Sequence, residues 1–209
     1  NYQAFASHQE EPADLKSIPH PRIGYIGVIK SQLNLRLLLG LATRHVEWSF
    51  VFVGPRNSLG RDALLVEELS KLSNVHFLGH KPIEIACAYP QHMDVCLLPY
   101  KTNDYTKYIY PLKLHEYLAG GKPIVGTPIR SLSDFAHVIQ LANTPEEWSR
   151  AISESLARNE MSSDQIHLRR NIAKQVDWGT LVHRVGGSIC ERLGSPYSDQ
   201  FAALQLEAL

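Results

Sequence analysis

The sequence is short of the features that mark several broad classes of protein. It has three cysteines, Cys87, Cys96 and Cys190, and no C-x-x-C spacing. So small and odd a set, placed inside apolar segments, excludes a disulfide scaffold. It reads as buried thiols in a reducing compartment. Net charge is zero, from 21 basic and 21 acidic residues. A general nucleic-acid binder would carry a basic excess, so that class is set aside. No apolar run is long enough to span a bilayer, and no signal-peptide pattern is visible. Ten histidines are present, none in H-E-x-x-H spacing. His76 and His80 straddle Gly79 at an expected strand end, which argues against a shared metal. There is no Asp-x-Asp pair and no complete G-x-G-x-x-G. The expectation is of no metal and no bound cofactor.

What is present is ordinary soluble composition: 209 residues, 44% hydrophobic and 20% charged, enough for one large domain or two small ones. Residues 1–21 are broken by Glu10-Glu11-Pro12 and Pro19-His20-Pro21 and predict an irregular lead-in arm or linker. Residues 22–29 predict a buried strand that turns at Gly27. A leucine-rich helix follows over 33–44, with Asn34 placed to cap it. Residues 49–53 predict a second strand closed by Gly54-Pro55, and 61–72 a second helix. A third strand over 74–78 leads into Gly79-His80-Lys81. Helical turns over 82–91 precede a fourth strand at 94–98, which ends in Pro99-Tyr100. Continuous apolar strands alternating with helices indicate a Rossmann-like, doubly wound α/β fold. Its parallel sheet of about six strands would carry helices on both faces. A further strand is expected over 136–141. A helix opened by Thr144-Pro145-Glu146-Glu147, a capping-box pattern, should run to about residue 159. Residues 22–160 are expected to form one Rossmann-like domain, with helices over 163–175 and 178–193 in a C-terminal part, 161–209, packed on it. Arg169, Arg170 and Lys174 read as a solvated helix face. Gly27, Gly54, Gly79 with His80, and Pro99-Tyr100 all fall just past strand ends, the edge where open parallel sheets hold ligands. Lys30 lies in the first of these loops, where it adds positive potential or is simply solvated.

Residues 111–125 organise the rest. Pro111 suits the first position of a helix because it has no N–H to leave unpaired. Leu114 and Leu118 make one side apolar, Gly120-Gly121 stop the helix, and Ile124-Val125 start a strand. Lys113 stands in the first turn and Glu116 three residues later, on nearly the same face. A helix N-terminus offers free amides and partial positive charge to a phosphate. Lys113 and the amides around Leu112 and Lys113 would hold a diphosphate, and Glu116 would accept hydrogen bonds from ribose hydroxyls. The plainer alternative is a helix start with a solvated lysine and glutamate.

The stretch Pro-Leu-Lys-Leu-His-Glu-Tyr-Leu-Ala-Gly-Gly-Lys-Pro-Ile-Val resembles the donor-site segment of GT-B glycosyltransferases, the retaining group 1, family-four type. Ile-Gly-Tyr-Ile-Gly, Phe-Val-Phe-Val-Gly-Pro, Asn-Val-His-Phe-Leu-Gly and Asp-Val-Cys-Leu-Leu-Pro-Tyr occur in the matching order, so the resemblance covers residues 22–147. It implies the C-terminal, donor-binding half of a GT-B enzyme, with a UDP- or GDP-linked sugar as donor. By the match, Glu116 is the second Glu of the family's Glu–seven residues–Glu motif, and Tyr108 stands in place of the first. Lys113 and Glu116 would be the catalytic residues. Gly27, Lys30, Gly54, Gly79, His80, Pro99, Tyr100, Pro111, Leu112 and Leu114 would complete the nucleotide site. A saccharide or lipid-linked acceptor would be met mainly by an N-terminal domain outside these residues, so this chain alone should bind nucleotide and transfer little. The implied setting is surface polysaccharide synthesis in the cytoplasm, with room for peripheral contact at the inner membrane face. The alternatives are a non-catalytic nucleotide-binding module and a sugar epimerase of the same fold.

Overall fold

A computed structural model describes residues 2–157 and 161–207. The chain runs α1 (Tyr2–Ala6), β1 (Arg22–Ile26), α2 (Leu35–Arg44), β2 (Ser49–Val53), α3 (Ala63–Ser70), β3 (Val75–Gly79), α4 (Ile83–Ala86) and β4 (Val95–Leu98). It continues through α5 (Lys113–Ala119), β5 (Ile124–Gly126), α6 (Arg130–Ser133), β6 (Gln140–Leu141), α7 (Pro145–Ala157), α8 (Ser163–Gln175), α9 (Trp178–Leu193) and α10 (Tyr197–Glu207). The strands form one six-stranded sheet in the order β3-β2-β1-β4-β5-β6, and every neighbouring pair is parallel. Every residue of β1, β2 and β4 is buried, as expected of strands covered by helices on both faces. The order reverses between β1 and β4, which makes their carboxyl ends the switch point of the sheet.

Local chemistry sets the helix starts. The Asn34 side chain accepts the Leu37 amide at 3.1 Å and caps α2. Leu35, Leu38 and Leu41 then face the core. At α7 the capping box is reciprocal: Thr144 Oγ1 accepts the Glu147 amide and the Glu147 carboxylate accepts the Thr144 amide, each at 3.2 Å. The end expected for this helix, near 159, lies outside the described residues.

Several expectations change. Residues 2–6 are helical rather than irregular, and α1 docks on α5 and α8 with Phe5 buried. At five residues the helix is too short to show a period. Leu15 and Ile18 are also core residues, and the Arg22 guanidinium donates to both of their carbonyls. The strand expected over 136–141 shrinks to Gln140–Leu141, because the amides of Phe135, Ala136 and Val138 close successive turns. Arg169 is not solvated. It is 1% exposed and donates to the Gly121 carbonyl, while Arg170 donates to that of Ala119. Both cations thus serve the C-terminal end of α5, where carbonyls lack helical partners. Cys87 and Cys96 are buried as expected, whereas Cys190 on α9 is half-exposed.

Candidate functional site

Three glycines form a shelf on the carboxyl edge of the sheet. The Gly27 amide donates to the Val53 carbonyl at 2.7 Å, and the Gly54 amide to the Gly79 carbonyl at 2.8 Å. Gly27 and Gly54 have φ of 141° and 144°, a region closed to residues with a side chain. A Cβ on Gly54 would overlap the Gly27 carbonyl, and one on Gly27 would overlap the Lys113 side chain. A cavity of about 260 Å³ opens beside the shelf, lined by Gly27, Gly54, Pro55, His80, Lys81 and Ala86. The Lys81 head is held at 2.7 Å by Asp14, which also accepts the Tyr89 hydroxyl. Thus the arm before β1 reaches the rim of this cavity.

Across the shelf stands the start of α5. Helical structure begins at Lys113, with Leu112 as the capping residue and Pro111 outside the helix. This places Pro111 two residues earlier than its expected first position. Its carbonyl accepts the Leu114 amide at 3.0 Å, so the chain turns before the helix begins. The Leu114 side chain is fully buried, and its amide is taken by the Pro111 carbonyl. Leu112 is exposed. Lys113 extends over Gly27 with Nζ 5.8 Å from the Tyr25 ring centre. Burial pulls its pKa below the ordinary lysine range; Glu116 opposes that shift and the Lys30 charge adds to it. Burial pushes the Glu116 carboxyl upward, against the pull of Lys113. The two groups are therefore neighbours in a half-dry setting, and Lys30 contributes positive potential there.

Tyr100 is buried, and that burial, with the Glu116 carboxylate, raises its phenol. Pro99 is turned to α2, its carbonyl accepting the Asn34 amide at 2.7 Å. A second cavity, of about 360 Å³, lies between α1, α5, α8 and α9 and includes Glu116, His115, Tyr110 and Phe5. Tyr108 is 71% exposed, with Lys107 Nζ 5.3 Å from its ring centre. Sequence reasoning missed two residues here, Tyr25 beneath Lys113 and Tyr117 one turn along α5. The helical period puts Tyr117 on the Lys113 face, a signal that was available.

A family model described as glycosyl transferases group 1 matches residues 20–158. The chain belongs to that family. A relative of the chain is TuaH of Bacillus subtilis (strain 168), whose name assigns it to teichuronic acid biosynthesis as a glycosyltransferase. The two are 30% identical over 194 residues, covering 88% of this chain and 47% of TuaH. Among solved structures, Anabaena HepE in complex with UDP and glucose superposes with a TM-score of 0.64 at 14% identity, over 84% of this chain and 50% of that one. Sucrose-phosphate synthase from Thermosynechococcus elongatus gives 0.63 at 18% identity, over 88% and 46%. The chain thus has the α/β fold of one half of a GT-B enzyme and spans about half the length of the relatives it matches.

Proposed function

We propose that this chain is the donor-binding half of a retaining glycosyltransferase that uses a UDP-linked sugar. The whole enzyme would pass the glycosyl unit to a saccharide or lipid-linked acceptor in surface polysaccharide assembly. The observation that carries the reading is Lys113 laid across Gly27 at the switch point of the sheet. In this site Lys113 and the Gly27 loop take the diphosphate, Glu116 the ribose hydroxyls, and the cavity by Gly54 and His80 the base. As the glycosidic bond breaks, negative charge grows on the diphosphate, and a preorganised ammonium stabilises it more than it stabilises the bound donor. The UDP in HepE supports the choice of base, and the name of TuaH supports the choice of pathway.

Calorimetric titration of the chain with UDP, GDP, ADP and TDP tests this reading. UDP should bind tightest. Glu116→Ala should weaken it by roughly tenfold or more, the loss expected for hydrogen bonds to a charged acceptor. Equal affinity in the variant would remove Glu116 from the ribose.

Affinity should also depend on pH. Lys113 holds phosphate only as the ammonium, so affinity falls as pH rises through its pKa. Burial has lowered that pKa, so the fall begins at a lower pH than an ordinary lysine would give. UDP titrations from neutrality upward, compared with Lys113→Met, would show the decline in the parent chain alone.

A further inference from the structure

Tyr117 lies four residues after Lys113 on α5 and therefore on the same face. Its side chain is fully buried. Its hydroxyl accepts the Ile26 amide at 2.8 Å and donates to the Ile26 carbonyl at 3.2 Å. These peptide groups sit where the sheet divides. Pairing of β1 with β2 continues to Ile26↔Val53, while pairing of β1 with β4 ends at Gly24↔Cys96. In a parallel ladder, alternate residues turn both N–H and C=O to the same neighbour. Gly27 gives its amide to Val53, so Ile26 turns its own groups to the β4 side. There the phenol of Tyr117 takes them in place of a strand.

This arrangement links both halves of the crevice through one hydroxyl. On one side of it is Gly27, the next residue along β1. On the other is α5, which carries Lys113 over Gly27. We propose that Tyr117 is a positioning residue for the donor diphosphate, its phenol fixing the separation between Lys113 and the Gly27 backbone. The inference rests on the donor-site reading above. Phenylalanine at 117 would fill the same space and leave the Ile26 amide and carbonyl without a partner. Buried groups in that state recover hydrogen bonds by shifting or admitting water. The displaced backbone would be the one beside Gly27.

The test is Tyr117→Phe in the 209-residue chain, read by amide exchange without ligand and by titration with UDP and with uridine. Amides of Ile26 and Gly27 should exchange about tenfold faster or more, with β2 unchanged, because a local opening is released rather than the global one. The Kd for UDP should rise roughly tenfold while that for uridine stays within about twofold, since only the phosphate part is displaced. In a Lys113→Met background the effect of Tyr117→Phe on UDP should shrink, as it must if the phenol sets the spacing of that lysine from the Gly27 backbone. Equal losses for UDP and uridine, or unchanged exchange at Ile26 and Gly27, would overturn the proposal. If Tyr117→Phe does not fold, the unaltered chain decides: its Ile26 amide must exchange as slowly as those of β2, and fast exchange overturns the claim. Absence of nucleotide binding by the unaltered chain would sink the donor-site reading, while the exchange data would still decide whether the phenol holds Gly27.

Discussion

Lys113→Met is expected to raise the Kd for UDP roughly 10- to 150-fold, which is the loss of about 1.5–3 kcal/mol carried by a hydrogen bond to a charged group. Methionine keeps an unbranched stem over Gly27 and beside Tyr25, so the change is one of charge more than of packing. The same substitution should leave the melting temperature unchanged or raise it. Burial already disfavours the ammonium in the free chain, as its lowered pKa records, and removing the charge removes that cost. Binding and stability should therefore move in opposite senses, as at sites where function is kept at the expense of the fold. Titration with UDP and thermal unfolding of the same preparation check both. A variant that binds UDP as well as its parent would refute the assignment of Lys113 to the diphosphate. One that binds weakly because it has partly unfolded would show a lowered melting temperature instead.

Gly54→Ala should be strongly destabilising for a change of one methyl. The residue has φ of 144°, and the added carbon would meet the carbonyl oxygen and carbon of Gly27, which are main-chain atoms with no rotamer to escape into. Backbone strain of this kind costs about 1–3 kcal/mol before the overlap is counted. For a chain of this length that lowers the melting temperature by roughly 6–12 °C if the total is near 3 kcal/mol. Gly40→Ala is the control. Gly40 lies inside α2 and nothing stands within 4 Å of the new carbon. Alanine there should stabilise by about 0.5–1 kcal/mol, because glycine is the poorer helix former. Thermal unfolding of the two variants should give shifts of opposite sign. Equal and small shifts would mean that the edge of the sheet can relax around Gly54.

The shelf was legible in the sequence because its signal is local. Each of Gly27, Gly54 and Gly79 follows an apolar run, and each adopts positive φ, which glycine alone reaches without steric cost. Lys113 and Glu116 were legible by spacing, since three residues along a helix return to nearly the same face. The capping box at Thr144 was legible for the same reason, a fixed offset between two side chains. Other features depend on partners that the sequence does not show. Tyr117 is as apolar by period as Leu114 or Leu118, and only the separation of β4 from β1 gives its hydroxyl a partner. Arg169 and Arg170 look like a charged helix face until α8 is laid against the end of α5. The start of α5 was misplaced because Pro111 is suited both to the first helical position and to the turn before it, and the turn prevailed.

The order of the strands also bears on how the molecule comes to be made. Every neighbouring pair is parallel, so no hairpin can act as a seed, and each pairing waits on a long loop. The first strand stays open on one side until partners 72 residues downstream arrive, as at Arg22 and Asp94. The phenol bond to Ile26 spans 91 residues. A chain emerging from the ribosome therefore leaves one side of this strand unpaired until β4 has been made. Its crevice, drawn from both sides of that strand, cannot close before α5 has been made.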